Sequence, residues 1–253
     1  MNDADPATIE RVFGALRATL GRYHRYALKG GEHIPKEGGA LGLISHGIAT
    51  YDLFLAAHAV LRETGRPVRM LGDAVWFRVP GASQTLERLG MVNTRPDLAR
   101  RLLDGGNLVA VAPGGMREAL RPSSSSFRVD WAGRRGFARL ALEAQRPVVL
   151  LACPSVDRVF TVYDSRLTRF AHRRWGLPLP LLRGLGPTLI PRPVRLTTHI
   201  SSSLLPPAIA GPRATDEEVE SFRSELEGRM NGFLAKVCAE EGLEARSGQR
   251  HAG

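Results

Sequence analysis

The chain has 253 residues and a formal net charge of +10, because 35 Lys and Arg residues outnumber 25 Asp and Glu residues. A hydrophobic content of 43% with 24% charged residues is typical of a globular protein and excludes a disordered one, and the length suits one large domain or two small ones. Lys supplies only three of the basic residues and Arg supplies the rest. This Arg excess is compatible with an anionic partner, either lipid or nucleic acid, and equally with a genome that favours Arg codons.

The two cysteines, Cys153 and Cys238, are too few for a disulfide framework, and no Cys-x-x-Cys pair is present to hold zinc. The first residues include Asp3, Asp5 and Glu10 and do not resemble a signal peptide. No segment approaches the roughly 20 apolar residues that a membrane-spanning helix requires. We therefore expect a cytoplasmic protein without a metal site.

Apolar residues recur at helical spacing from Pro6 to Leu28, with arginines on the opposite face. This pattern predicts an N-terminal amphipathic helix, which could pack on the core or lie in a membrane interface. We assign residues 1–30 to this helix, 31–243 to the main domain and 244–253 to a disordered tail.

Farther along the chain, apolar runs typical of strands alternate with segments of helical periodicity. The predicted strands are Ala40–Ser45, Val68–Leu71, Asn107–Ala112, Pro147–Cys153 and Pro193–Ser201. The predicted helices are Tyr51–Glu63, Ser83–Arg88, Asp97–Leu103, Phe137–Gln145 and Thr215–Glu240, the last with Thr215 as its N-cap. This alternation predicts a single α/β domain with a mostly parallel central sheet flanked by helices.

The first candidate for chemistry is a histidine that follows a predicted buried strand. His46 stands at the end of Ala40–Ser45, and Asp52 lies on the first turn of the next predicted helix. A carboxylate that holds an imidazole fixes its tautomer and stabilises the imidazolium, as in the general-base half of a catalytic triad. No nucleophile motif accompanies the pair, so the base would act directly on a substrate hydroxyl. Spacing alone, however, favours a structural histidine.

The second candidate is the loop that follows the predicted strand Asn107–Ala112. There Pro113, Gly114 and Gly115 precede Arg117 and Glu118. Two glycines let the backbone turn tightly and let a ligand approach closely, and a nearby Glu can orient a polar substrate or a basic residue. An ordinary strand-to-loop turn is the alternative, and it is favoured if this segment is considered alone.

Taken together, in this order and separation, the two segments resemble the glycerolipid and lysophospholipid acyltransferase superfamily, which is PlsC-like. The matching blocks between Ala40 and Pro154 are His46 with Asp52, Gly72–Pro80 with Arg78, Pro113-Gly114-Gly115 with Glu118, and Pro147-Val148-Val149. Five residues rather than four separate His46 from Asp52, and the third block is Pro-Gly-Gly rather than Pro-Glu-Gly. Both features are similar to the diacylglycerol-acyltransferase-like branch, with its His-Gly and Pro-Gly-Gly-x-x-Glu motifs.

This resemblance implies an O-acyltransferase that moves a fatty acyl group to a hydroxyl of a glycerolipid or related lipid alcohol. The donor would be acyl-CoA or acyl-carrier protein, and no other cofactor is expected. The resemblance makes His46 the general base and Asp52 the residue that holds it. The implied substrate-binding residues are Arg78, Gly114, Gly115, Arg117 and Glu118. Lipid substrates imply a peripheral location on the inner face of the membrane, where the positive charge would attract an anionic surface.

The alternative is a non-catalytic basic protein that binds anionic lipid or nucleic acid. Its support is the net charge and arginine clusters such as Arg134, Arg135 and Arg139. An aromatic content of only 6%, without a recognised nucleic-acid motif, disfavours nucleic acid. The segment Trp175–Leu189 mixes apolar and Arg side chains, so it could lie among lipid headgroups or pack on the domain as a Pro-rich loop.

Overall fold

A computed structural model describes residues 4–73, 77, 81–163 and 181–243. Within these ranges, seven strands form a central sheet and two short strands form a separate ribbon. The strands are β1 Ala27–Lys29, β2 Ala40–Ile44, β3 Val68–Gly72, β4 Met91–Asn93, β5 Leu108–Val111, β6 Val148–Ala152, β7 Thr161–Tyr163, β8 Leu181–Arg183 and β9 Thr197–Ile200. The α-helices are α1 Pro6–Leu16, α2 Tyr51–Thr64, α3 Ala82–Arg88, α4 Pro96–Asp104, α5 Gly115–Ala119, α6 Gly136–Ala144 and α7 Asp216–Glu240.

The central sheet has the strand order β1-β9-β6-β2-β5-β3-β4, and all neighbouring strands are parallel except β6 and β9. This arrangement confirms the predicted α/β class with a mostly parallel sheet. In the centre, Gly42 of β2 is in register with Ala110 of β5 and Val149 of β6. Strands β5, β2 and β6 therefore end at one edge of the sheet, which we call the carboxyl edge; parallel sheets place ligands outside such an edge.

Helices cover both faces of the sheet, and the strand side chains alternate between them. Leu41 and Leu43 of β2 belong to a core formed with α4, α6 and α7, whereas Ile44 belongs to a core formed with α1 and α2. Burial on both faces explains why β2, β5 and β6 are continuous apolar runs rather than alternating patterns.

The long C-terminal helix begins as its sequence predicts. The backbone N–H of Glu218 donates to Thr215 Oγ1 at 3.2 Å, and the N–H of Thr215 donates to Glu218 Oε2 at 2.7 Å. These reciprocal bonds form a capping box and confirm Thr215 as the N-cap.

The predicted helix from Pro6 to Leu28 is wrong in extent. The chain is helical from Pro6 to Tyr23, with a π-helical turn at Arg17–Gly21, so the prediction holds for most of the segment. It fails beyond Tyr23, where Arg25 has a positive φ of 46° and Leu28 lies in β1. Backbone pairing of β1 with β9 overrides the helical periodicity of these side chains. The apolar side chains Ile9 and Phe13 are buried, so the inner face of α1 packs on the core rather than lying free.

Two further predictions concern the C-terminal half. Part of the segment Trp175–Leu189 forms β8, residues 184–189 form an irregular loop, and 175–180 lie outside the described residues. The predicted disordered tail, residues 244–253, also lies outside them. Among the residues that the structure describes, no helix combines the length and apolar character needed to cross a bilayer.

Candidate active site

The carboxyl edge brings together side chains from three separate segments of the chain. His46 follows β2, Glu118 lies in α5 just beyond β5, and Asp157 lies in the 3-10 helix Pro154–Arg158 that follows β6. Because β5, β2 and β6 are adjacent and parallel, these three segments meet. The sequence predicted His46 and Glu118 as site residues but gave no sign of Asp157.

Both main-chain polar groups of His46 are held by side chains from the segment after β5. The N–H of His46 donates to Glu118 Oε1 at 2.7 Å, and the carbonyl oxygen of His46 accepts from Arg121 Nη1 at 2.6 Å. The two peptide groups that flank His46 are each fixed by a side chain, so the backbone at His46 has little freedom to rotate. Glu118 therefore positions His46 through its backbone, which is a role that the sequence did not specify.

Arg121 forms the centre of a nearly buried charge network. Its Nη2 donates to both carboxylate oxygens of Asp157, at 2.8 and 2.6 Å, and its Nη1 lies 3.4 Å from Glu118 Oε1. Asp157 Oδ2 also accepts from the N–H of Phe127 at 2.9 Å. One buried cation thus compensates two buried carboxyl groups, which would otherwise be costly to remove from water.

The sequence analysis missed Arg121 although a local signal was present. It stands three residues after Glu118, a spacing at which oppositely charged side chains on one helical turn meet. Asp157 is 36 residues from Arg121, and only the tertiary fold brings the two together.

Burial changes the protonation of the site. It lowers the pKa of His46 to about 4, an effect to which the positive charge of Arg121 adds. Burial raises the pKa of Asp52 to about 8 and that of Glu118 to about 7. At neutral pH His46 is therefore an uncharged imidazole, which is the form that can accept a proton.

His46 and Asp52 are both buried, but they are not joined by a hydrogen bond in the structure. Among the described residues, neither Nδ1 of His46 nor Oδ1 of Asp52 has a hydrogen-bond partner. Buried polar atoms without partners are uncommon in folded proteins.

The two glycines of the predicted loop leave the space that Glu118 and Arg134 occupy. A Cβ on Gly114 would collide with the Cβ and carboxylate of Glu118. Gly115 has a φ of 50°, and a Cβ there would lie 2.7 Å from Nη1 of Arg134. That guanidinium donates to the carbonyl oxygen of Pro113 at 2.8 Å, so the loop closes tightly on itself.

The predicted substrate-binding residue Arg117 stands apart from this network. Arg117 is exposed, and its Nη2 donates to the exposed carboxylate of Asp130 at 3.1 Å. Arg78 lies outside the described residues. It follows β3, whose last residue Gly72 also stands at the carboxyl edge.

Comparison with known sequences agrees with this geometry. The sequence matches the acyltransferase family over residues 25–153, a range that includes His46, Asp52 and Glu118. It is 29% identical over 199 residues to the "DGAT1/2-independent enzyme synthesizing storage lipids" of Bos taurus, an alignment that covers 78% of this chain and 56% of that protein. The namesake from Gallus gallus is 31% identical over 189 residues, covering 72% of this chain and 56% of its own. An uncharacterized protein of Mycobacterium tuberculosis is 28% identical over 186 residues, covering 70% and 51% respectively.

The chain spans little more than half the length of these curated relatives. Among solved structures, the 1-acyl-sn-glycerophosphate acyltransferase PlsC from Thermotoga maritima superposes with a TM-score of 0.56 at 16% identity, covering 91% of this chain and 78% of that one. At this identity the likeness establishes a shared fold. Since the family match covers more than half of the sequence, the chain belongs to the acyltransferase family and has a PlsC-like α/β fold.

Proposed function

We propose that the chain transfers a fatty acyl group from a thioester, acyl-CoA or acyl-carrier protein, to a hydroxyl of a glycerolipid or related lipid alcohol. The observation that carries the proposal is the buried, uncharged His46 at the carboxyl edge, with its peptide fixed by Glu118 and Arg121. The names of the similar proteins, which concern storage lipids and a 1-acyl-sn-glycerophosphate acyltransferase, support a lipid acceptor.

In the proposed reaction, Nε2 of His46 takes the proton of the acceptor hydroxyl as its oxygen attacks the thioester carbonyl. The carbon–sulfur bond then breaks, and the leaving thiolate receives that proton from the imidazolium. General-base catalysis of this kind contributes about 10²–10⁴-fold, so binding and oxyanion stabilisation supply the remainder.

Asp52 has the role of orienting His46 in this proposal. A hydrogen bond from Nδ1–H of His46 to Oδ1 of Asp52 would satisfy two buried atoms that otherwise have no partner in the described structure. The same bond would favour the ionised carboxylate and stabilise the imidazolium as it forms.

The remaining predicted residues take supporting roles. Gly114 and Gly115 shape the loop that sets Glu118 against the peptide of His46. Arg117, exposed beside this loop, and Arg78 are proposed to bind a phosphate of the donor or acceptor.

The test is an acyl-transfer assay on the purified chain with acyl-CoA and acyl-carrier protein donors. Monoacylglycerol, diacylglycerol and lysophosphatidate are offered in mixed micelles, and mass spectrometry identifies the products. We expect one acceptor class to be acylated and His46→Gln to lower the rate about 100-fold or more. His58→Gln is the matched control, since both histidines are 7% exposed and His58 bonds to Glu10 on α1.

Retention of full activity by His46→Gln would contradict the assignment of the base. A wild-type chain that transfers no acyl group from either donor would contradict the function itself. Strong vesicle or DNA binding in that case would favour the non-catalytic alternative, and salt dependence would identify its electrostatic part.

A further inference from the structure

Exposed apolar side chains are concentrated in one short segment beside the ribbon β7–β8. Leu181, Leu185, Leu189 and Ile190 are 57%, 50%, 69% and 54% exposed. Tyr163 of β7, also exposed, is the register partner of Leu181. Scattered single apolar residues are ordinary on a protein surface, whereas a contiguous group indicates an interaction site. We call these four aliphatic residues the Leu181–Ile190 patch.

The loop that carries the patch satisfies several of its own backbone groups. The N–H of Gly184 donates to the carbonyl of Thr188 at 2.6 Å, and the N–H of Leu185 donates to the carbonyl of Ile190 at 2.8 Å. The hydroxyl of Thr188 donates to the carbonyl of Leu185 at 2.7 Å. Since unpaired polar groups are costly in an apolar medium, this internal pairing suits a loop that enters a lipid interface.

The patch lies at the same edge of the sheet as His46. The N–H of Val162 in β7 donates to Ser123 Oγ at 2.9 Å, and Ser123 follows Arg121 by two residues. On the other side, Nη2 of Arg192 donates to Thr161 Oγ1 at 2.8 Å. The ribbon is thus attached to the segment that follows β5 and bonds His46, and β7 comes directly after the segment that carries Asp157.

The charges around the patch are positive. From Leu181 to Ile200 the sequence contains three arginines and neither Asp nor Glu, and Arg183 is exposed within the ribbon. The hydroxyl of Tyr23 donates to the carbonyl of Pro191 at 2.6 Å, which ties this segment to the end of the N-terminal helical region. Aliphatic side chains flanked by cations match the acyl boundary and the anionic headgroups of a bilayer.

We propose that the Leu181–Ile190 patch docks the protein on an anionic lipid bilayer and turns the carboxyl edge toward the membrane. The aliphatic side chains enter the interface while Arg183 contacts lipid phosphates. A lipid at that surface then has a short path to His46. The proposal rests on the proposed function only for the statement that such a lipid is the substrate.

The experiment uses the full chain and sedimentation with vesicles of phosphatidylcholine, with or without phosphatidylglycerol. Leu189→Glu combined with Ile190→Glu should lower binding to the anionic vesicles more than about tenfold, because two buried aliphatic contacts are lost. The matched control is Leu205→Glu. Leu205 is 74% exposed, but it follows Leu204, which pairs with Val148 at the opposite end of β6. The control should bind like the wild type, and circular dichroism melting verifies that all variants are folded.

Unchanged vesicle binding by the double variant would overturn the docking proposal. So would a wild-type dimer that the double variant converts to a monomer in light scattering, because a second copy would then occupy the patch. If the double variant loses vesicle binding while even the wild type transfers no acyl group, the proposed function fails and the docking surface stands. If both hold, the double variant loses transfer to acceptors embedded in vesicles and retains it on acceptors dispersed in detergent.

Discussion

The guanidinium of Arg121 binds the carboxylate of Asp157 through two hydrogen bonds, at 2.8 Å to Oδ1 and 2.6 Å to Oδ2. The same guanidinium donates to the carbonyl oxygen of His46 at 2.6 Å. One side chain therefore joins the segments that follow three neighbouring strands, β5, β6 and β2. The position of His46 depends on a charge network as well as on the sheet.

Removing this cation should be strongly destabilising. Arg121→Met leaves the carboxyl groups of Asp157 and Glu118 buried without their compensating charge, and breaking a buried pair in this way costs about 3–5 kcal/mol. The measurement is the free energy of unfolding from urea denaturation. Arg117→Met is the matched control, and because its ion pair with Asp130 is exposed, the loss there should stay below about 1 kcal/mol.

A double variant tests whether the effect belongs to the pair. Adding Asp157→Asn to Arg121→Met removes the uncompensated charge, so the double variant should lose less stability than the two single variants together. Additive losses, or equal losses for Arg121→Met and Arg117→Met, would contradict the network.

The stability of the folded protein should fall as pH rises above neutrality because of Asp52. Its ordinary pKa of 3.8 is raised by burial to about 8, so between these values the folded state holds a proton that the unfolded state has released. Stability then declines by roughly 1 kcal/mol per pH unit, and the stabilising contribution is complete only below the unfolded pKa.

Burial raises the pKa of Glu118 to about 7, so Glu118 also makes the stability fall with rising pH, but only below about pH 7. The pH range that reports on Asp52 therefore lies above this value. His46 acts in the opposite direction at lower pH, since its pKa is lowered from 6.5 to about 4. Urea denaturation between about pH 7 and pH 8 therefore isolates Asp52 among these three groups. Asp52→Asn should flatten the decline there, and identical slopes for wild type and variant would refute the burial argument.

In a pH profile of kcat/KM, the midpoint of the acid limb should lie at a lower pH than is usual for a histidine base. Burial and the positive charge of Arg121 both favour the uncharged form of His46. With a pKa below the ordinary 6.5, the base remains competent where a solvated histidine is already half protonated. Initial rates across the acid range locate the limb, and a midpoint at or above 6.5 would show that burial and Arg121 do not lower the pKa of His46.

The sequence predicts those strands whose pattern is visible within one continuous stretch of residues. The strands β2, β5 and β6 were predicted because burial on both faces makes each a continuous apolar run. The strands β1 and β4, and both strands of the ribbon, have three residues each, too few to show a period.

The same reasoning applies to the site. His46, Asp52 and Glu118 occupy motif positions. The resemblance of the combined motifs to a known family selects them, whereas the spacing of each motif alone does not. Arg117 and Arg121 stand on one short stretch, and only packing decides that Arg121 points inward and Arg117 outward. Asp157 carries no motif, and its role exists only because β6 lies beside β2.

Gly114 offers a steric test of the position of Glu118. Its φ of −71° suits alanine, so the backbone tolerates Gly114→Ala, but the added Cβ would collide with Glu118. Glu118 is buried and cannot move without losing its bond to the N–H of His46. We expect Gly114→Ala to cost about 1–3 kcal/mol of unfolding free energy and to lower acyl transfer.

Gly228→Ala is the matched substitution, and we expect it to raise the free energy of unfolding, whereas Gly114→Ala should lower it. Gly228 lies inside α7 with nothing within 4 Å of an added Cβ, so alanine there should stabilise the helix by about 0.5–1 kcal/mol. Urea denaturation of both variants compares a glycine required by a neighbouring side chain with a glycine that only weakens a helix. If Gly114→Ala were as stable and as active as the wild type, the loop would not hold Glu118, and His46 would owe its position to Arg121 alone.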